Sequence, residues 1–260
     1  MDLKLAGRKV LITGGSKGIG FAVARQFAAE QCRAALVART RADLARAAET
    51  LKAQWPGEVD TFAADLTRPA DRDAVIAGCG DADILINNAG AIPPGTLEDI
   101  DDPTWRAAWD LKVFGFINMT RAYFSRMKAR RRGVIINIIG AGGERLDSGY
   151  IAGAAGNAAL MAFTKALGST SPDHGVRVIG INPGPVATER LVTMQKLKAR
   201  ARFGDESRWE EFNKSMPFGR PATPEEVAAT VVFLASDLCS YISGTIVTID
   251  GGLANRGALL

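Results

Sequence analysis

The chain is short of the residues that build metal centres and disulfide frameworks. Among its 260 residues there is one histidine, His174, and there are three scattered cysteines, Cys32, Cys79 and Cys239. An odd, dispersed set of thiols suggests neither paired disulfides nor a zinc site, and it fits a reducing cytoplasm. One histidine cannot build a histidine metal cage or readily supply a serine-protease triad. His174 lies in Pro172-Asp173-His174-Gly175, where a solvated turn residue is expected. No metal site is expected. No apolar run approaches the length of a membrane span, and Met1-Asp2-Leu3-Lys4 lacks a signal-peptide pattern, so no membrane association is expected. Aromatic residues are sparse, at 7%. None interleaves with the basic run from Arg126 to Arg132, as the stacking platforms of a nucleic-acid binder would. That run closes a long helical pattern, where cations offset the helix dipole. Nucleic acid is therefore not an expected partner, despite a net charge of +4.

What is abundant is apolar residue, at 47%. It falls into short runs at 9–13, 34–38, 59–63, 83–87, 133–138, 176–181 and 245–249. Helical patterns fill the intervals, notably at 41–54, 103–131, 149–168 and 224–235. Alternation of this kind predicts an α/β fold in which helices cover both faces of a parallel sheet. Strands that are nearly all apolar fit burial on both faces. The whole chain, 1–260, reads as one domain.

The first strand runs straight into Gly14-Gly15-Ser16-Lys17-Gly18-Ile19-Gly20, and a helix starts there. Glycines at such a junction allow a sharp turn, close backbone approach to a ligand, and close packing of helix on strand. The helix start offers unpaired N–H groups and the positive dipole end, which suit a pyrophosphate. The spacing G-x-x-x-G-x-G differs from G-x-G-x-x-G, and glycine-rich turns also serve purely as turns. The flanking apolar strand and the helical Phe21-Ala22-Val23-Ala24 favour the ligand-binding reading.

The second strand specifies the ligand further. An acid at its end would hold the adenosine ribose of NAD. Here the strand ends Ala38-Arg39. A guanidinium grips phosphate through paired hydrogen bonds. With Lys17 as a second cation, this pattern predicts NADP(H); the alternative for both residues is a solvated surface charge.

Between Pro185 and Pro217 the rhythm breaks. The segment has no clear strand and is rich in charge, including Arg190, Lys196, Lys198, Arg200 and Arg202. It follows Asn182-Pro183-Gly184-Pro185 at a strand end, the edge where open α/β sheets bind ligands. A lid over the substrate at about 185–217 is expected. The alternative is a solvated surface helix.

These blocks resemble the short-chain dehydrogenase/reductase family, and the match runs from Leu5 to Gly252. Thr13 to Gly20 is similar to the family's cofactor loop, with Gly14, Ser16, Lys17, Gly18, Ile19 and Gly20 in it. Asp65 and Leu66 resemble its adenine-contacting pair. Asn87-Asn88-Ala89-Gly90 resembles its signature after the fourth strand. Pro183, Gly184, Val186 and Thr188 resemble its nicotinamide-side loop. Arg220 to Ala228 and Asp250-Gly251-Gly252 resemble its C-terminal pattern. The resemblance implies a single-domain, doubly wound Rossmann fold with seven parallel strands. It also implies a homotetramer, and interconversion of a small carbonyl compound and its alcohol with a nicotinamide cofactor.

The catalytic positions depart from that pattern. The ungapped segment Asn157 to Leu167 matches the family segment that begins at its catalytic lysine. The lysine position is therefore Asn157, and the tyrosine position four residues earlier is Gly153. Counting through Val134 to Ile139 puts Gly140 at the serine position. Counting from Trp105 to Gly115 puts Lys112 at the asparagine position.

Two residues are candidates to refill the site. Lys112 has a stem long enough to bring its ammonium where the helical lysine would sit. Tyr150 lies one turn before Gly153 and two turns before Asn157 on one helix face, with its hydroxyl expected ~4.5 Å further along the axis. Asp147 and Ser148 are expected to cap that helix. Gly149, Gly153 and Gly156 each cost helix propensity, up to ~1 kcal/mol against alanine. Close helix packing or room for substrate would offset that. The expected catalytic set is Lys112, Tyr150 and Asn157 in an NADP(H)-dependent oxidoreductase. The alternative is a non-catalytic NADP(H)-binding protein, such as a redox sensor or a partner subunit.

Overall fold

A computed structural model describes residues 1–256; residues 257–260, the end of the expected 1–260 domain, lie outside the described residues. Seven strands form one parallel sheet: β1 (Lys9–Thr13), β2 (Arg33–Ala38), β3 (Val59–Ala63), β4 (Ile84–Asn87), β5 (Gly133–Ile138), β6 (Val176–Pro183) and β7 (Ile246–Ile249). Their spatial order is β3-β2-β1-β4-β5-β6-β7. The order reverses between β1 and β4, so the C-terminal ends of these two strands bound the crevice where doubly wound sheets bind ligands.

The main helices are α1 (Gly18–Ala29), α2 (Arg41–Gln54), α3 (Pro69–Cys79), α4 (Asp102–Trp109), α5 (Gly115–Arg130), α6 (Ile151–Thr170), α7 (Glu189–Phe203) and α8 (Pro224–Ala235). One core layer lies between the sheet and α1, α2 and α8. It includes Val10, Ile12, Val23, Phe27 and Val231. The layer on the opposite face includes Leu11, Val37, Leu85, Met119 and Tyr123. Strands β4, β5 and β6 are buried along their whole length. The edge strand β3 differs from the all-apolar expectation. Its Asp60 and Thr61 are exposed, because only β2 borders it.

Two local features were hidden in the sequence. The expected helix 103–131 is divided by a π-helical turn at Asp110–Phe114, with Lys112 at its centre. Turns of this type widen a helix by one residue and re-aim the side chains on them. The second feature is Arg177, a buried cation on β6. Its guanidinium donates to the carbonyls of Leu234, Ala235, Ser236 and Ile242, closing the C-terminus of α8. The dipole end of α8 replaces the carboxylate that a buried arginine otherwise needs. At the other end of α8, Thr223 and Glu226 form a capping box around Pro224. Arg220 grips the Glu226 carboxylate at 2.7 and 2.8 Å and pulls its carboxyl down to about 2, with help from the Thr223 N–H.

The basic run ends α5 as expected. Arg126 donates to Asp81 at 3.1 Å, Arg130 donates to the Ala82 carbonyl, and Arg131 adopts φ +51° at the cap. His174 is half-buried, with its ring edge-on to Phe124 at 6.2 Å, so it is less solvated than a plain turn residue. Among the described residues no helix is long and apolar enough to cross a membrane, and no cluster of ligating side chains is placed to hold a metal.

Candidate active site

The crevice starts at Thr13, the last residue of β1. Its Oγ1 accepts the backbone N–H groups of Asn88 and Ala89. The Asn88 side chain donates back to the carbonyls of Thr13 and Gly14. These bonds clamp the glycine loop to the end of β4. Gly14 holds φ +65°, a conformation that favours glycine. A Cβ on Gly20 would collide with the Gly14 carbonyl, so only glycine lets α1 start this close to the strand end.

From this loop a cavity of about 710 Å³ runs along the C-terminal edge of the sheet. Gly14, Lys17, Gly18 and Ile19 line one end, with Asn88 and Gly90 beside them. Pro183, Gly184, Val186 and Thr188 form the wall opposite, and Lys112, Gly140, Tyr150 and Asn157 the far end. Ser16, Gly20 and Ala89 lie outside the lining. So do Arg39, Asp65 and Leu66, at the ends of β2 and β3. Thr67 holds the Asp65 carboxyl below the usual carboxylate range by donating to it, and the Arg39 charge adds to the effect. Arg39 and Asp65 thus sit together, beyond the glycine loop. The Leu66 side chain is in the core, leaving only its backbone facing outward. Lys17 is half-exposed and pairs with Asp43 at 3.1 Å.

The far end corrects the expected placement of Tyr150. Tyr150 is the N-cap residue of α6, with φ −139°, and stands outside the helix. Asp147 and Ser148 do not cap α6. Asp147 accepts the Gly149 N–H at 2.8 Å, tightening the preceding turn. Freed from helical geometry, the Tyr150 side chain folds over Gly153. Its Cε2 lies 2.5 Å from the point where a residue-153 Cβ would be, and its Cζ lies closer still. The hydroxyl is one bond beyond Cζ, so it sits near the base of the volume a residue-153 side chain would fill. Burial raises the Tyr150 phenol above its ordinary value, and the Arg190 charge opposes the rise.

Gly156 has the other use expected of the α6 glycines. A Cβ there would meet Trp109, Val113 and Ile92 at 3.2 to 3.5 Å, so the glycine permits close packing against α4 and its π turn. Trp109 donates to the Ala152 carbonyl across this contact.

Lys112 reaches the cavity from the π turn. Its Cδ lies 2.6 Å from the point a Cβ on Gly90 would occupy, and its ammonium donates to the Ile139 carbonyl. Burial, together with the Arg190 charge, pushes the Lys112 ammonium down to about 8. Asn157 is 3% exposed. Its Oδ1 has no hydrogen-bond partner among the described residues, and its Nδ2 is 3.1 Å from the point a Cβ on Gly140 would occupy. A buried carbonyl oxygen left unpaired costs ~1–3 kcal/mol, a cost that a ligand donor would relieve.

Sequence reading missed Arg190 as a residue of the site. It stands in the first turn of α7, two residues after the N-cap Thr188, and donates to the carbonyls of Ile92 (2.6 Å) and Gly90 (3.4 Å). Its proximity to Thr188 was the available signal. The charge-rich segment 185–217 consists of α7 and a 3₁₀ stretch at Glu206–Ser215. They pack through Phe203 on Phe212 and through a Gln195–Asn213 hydrogen bond. Leu191, Met194 and Lys198 face the cavity.

The family pattern described as "Enoyl-(Acyl carrier protein) reductase" matches residues 14–254. Galactitol 2-dehydrogenase (L-tagatose-forming) of Cereibacter sphaeroides is 34% identical over 257 residues, 96% of each chain. The chain belongs to the short-chain dehydrogenase/reductase family. The 3-oxoacyl-[acyl-carrier-protein] reductase of Chlamydia muridarum is 30% identical, covering 98% of this chain and all of that one. Among solved structures, L-sorbose reductase of Gluconobacter frateurii, in complex with NADPH and L-sorbose, superposes with a TM-score of 0.92. It is 33% identical, over 99% of this chain and all of that one. These relatives are oxidoreductases, and the seven-stranded fold is that of the short-chain dehydrogenase/reductase structures.

Proposed function

We propose that this protein is an NADP(H)-dependent oxidoreductase that interconverts a small carbonyl compound and its alcohol, with a rearranged proton-donating site. The observation that carries the proposal is the continuity of one cavity. It joins a glycine loop built for a phosphate to an end holding a lysine, a phenol and an unpaired buried amide oxygen.

The cavity, with Arg39 and Asp65 beyond its glycine-loop end, is read as the seat of a nicotinamide dinucleotide. The loop from Gly14 to Gly20 and the start of α1 hold the pyrophosphate, with Thr188 opposite. Arg39 and Lys17 take the 2′-phosphate, Lys17 exchanging its bond to Asp43. Asp65 and the backbone of Leu66 border the adenine. Asn88, Ala89 and Gly90, with Pro183, Gly184 and Val186, border the nicotinamide end. The unpaired Asn157 Oδ1 accepts a ribose hydroxyl. When bound, NADPH supplies the hydride.

The protein's own residues handle the charge and the proton. Lys112 provides the cation at the nicotinamide end, in the role the family gives to the lysine at position 157. Tyr150 donates the proton to the forming alkoxide, using the space left by Gly153. Segment 185–217 closes over the substrate through α7. We place the protein in the cytoplasm, where its buried, unpaired Cys32, Cys79 and Cys239 stay reduced. It assembles as a homotetramer. This is supported by the half-buried edge strand β7 and by apolar side chains in solvent, including Phe114, Phe233 and Tyr241.

The alternative, a protein that binds NADP(H) without turnover, is favoured by one observation. The serine and tyrosine positions of the family pattern are Gly140 and Gly153, which carry no hydroxyl. Fluorescence titration with NADPH and NADH, followed by NADPH oxidation against a panel of carbonyl compounds, separates the readings. The oxidoreductase reading expects tighter NADPH binding and turnover of at least one carbonyl; binding without any turnover favours the alternative.

A further inference from the structure

The far end of the cavity holds two cations that meet the same residue. Lys112 comes from the π turn and lays its stem against Gly90. Arg190 comes from the first turn of α7 and donates to the carbonyls of Gly90 and Ile92. Both line the cavity. Their protein hydrogen bonds run to backbone carbonyls, and among the described residues neither forms an ion pair. Three carboxylates also line the cavity: Asp147, Glu189 and Asp250. Asp250 is engaged by the N–H groups of Gly252 and Ala254, and Asp147 by that of Gly149, whereas Glu189 stands exposed beside Arg190 on α7 and forms no ion pair among the described residues. Burial, and then the Arg190 charge, lowers the Lys112 ammonium.

Two like charges brought together without a counter-ion repel, and the repulsion is screened less at the Lys112 ammonium, which burial depresses, than at the exposed Arg190. Such a pair persists at low cost when the ligand brings the missing negative charge. A planar carboxylate suits the fork of a guanidinium on one side and the point charge of an ammonium on the other.

We infer that the substrate is a carboxylate-bearing compound, an oxo acid and its hydroxy-acid partner, whose carboxylate binds between Lys112 and Arg190. This rests on the oxidoreductase reading for its carbonyl, although the carboxylate site itself does not depend on turnover. Arg190 lies on α7, so a bound carboxylate also ties the lid segment to the Gly90–Ile92 loop.

The test is binding to the NADP⁺-loaded protein, which has no hydride to give. Saturation-transfer NMR compares pyruvate, acetoacetate and levulinate with their methyl esters, in wild type and in Arg190→Gln. The expected result is that at least one acid binds ten-fold or more tighter than its ester in wild type. In Arg190→Gln that ratio falls below about two-fold while NADP⁺ affinity is kept. The inference is overturned if no acid outbinds its ester, or if the preference survives in Arg190→Gln. It is also overturned if NADP⁺ affinity falls ten-fold in the variant, because Arg190 then serves the cofactor pyrophosphate. NADPH oxidation is read separately: a carboxylate preference without turnover would sink the oxidoreductase reading and leave the site standing.

Discussion

The ring of Tyr150 lies over the α-carbon of Gly153, in space that any other residue at 153 would claim. The glycine and the tyrosine are therefore one structural unit. Gly153→Ala removes a helix-weakening glycine, a gain of up to ~1 kcal/mol. It also drives a methyl into the ring, and overpacking of that kind costs ~1–3 kcal/mol. The expected outcome is a net loss of stability with displacement of Tyr150. Thermal unfolding and a crystal structure of the variant check it. A stabilised Gly153→Ala with Tyr150 unmoved would contradict the assigned packing.

Tyr150→Phe separates chemistry from packing at the same place. Loss of a proton donor should lower the rate by roughly 10²–10⁴-fold. Loss of a hydroxyl from a packing residue would leave the rate near wild type. Steady-state kinetics on the first carbonyl compound found to turn over decide between them.

Arg39 stands at the end of β2 next to Asp65, outside the cavity lining. Arg39→Ala is expected to weaken NADPH binding by about 1.5–3 kcal/mol, the range for a hydrogen bond to a charged group. NADH binding should be unchanged. Equal loss for both cofactors would show that Arg39 contacts something other than the 2′-phosphate.

Lys112 gives a pH signature. Its folded value, about 8, is below an ordinary lysine's 10.5, because of burial and then the Arg190 charge. Between those values the unfolded chain binds more protons than the folded one, so stability rises with pH across that window. Below about pH 8 the full penalty of burying the ammonium is present. The stability of the wild type relative to Lys112→Met should therefore increase from pH 8 to pH 10, as read by urea denaturation. A flat difference would mean that the ammonium is not desolvated.

Arg177 on β6 tests the fold away from the site. Arg177→Met leaves the carbonyls at the end of α8 without their shared donor. A loss of about 3 kcal/mol is expected, the upper end for one charged hydrogen bond. Cofactor affinity should be unaffected.

The sequence exposed the sheet because a parallel strand buried on both faces leaves an unbroken apolar run. β1, β3 and β5 fall at their expected bounds, and β2, β4, β6 and β7 differ by one or two residues. The glycine loop was legible from its setting, with an apolar strand before it and a helix starting inside it. The far end of the cavity was not legible. Helical periodicity assigned Tyr150 to α6, whereas the turn tightened by Asp147 leaves it at the N-cap, where its side chain is free to fold back. Lys112 was identified by register, but the π turn that aims it has no signature in residue type. Arg190 was hidden among the charges of 185–217, and its place two residues after Thr188 was the one local mark that set it apart.

Hydride transfer at the rearranged site is the step on which the proposed function stands. Incubation with NADPH deuterated at C4 of the nicotinamide, against a panel of oxo acids, ketones and aldehydes, tests it most directly, with products read by mass spectrometry. The expected product is a deuterated alcohol from at least one compound with wild type, reduced by two or more orders of magnitude in Tyr150→Phe. Tight NADPH binding with no deuterium transferred to any compound would contradict it.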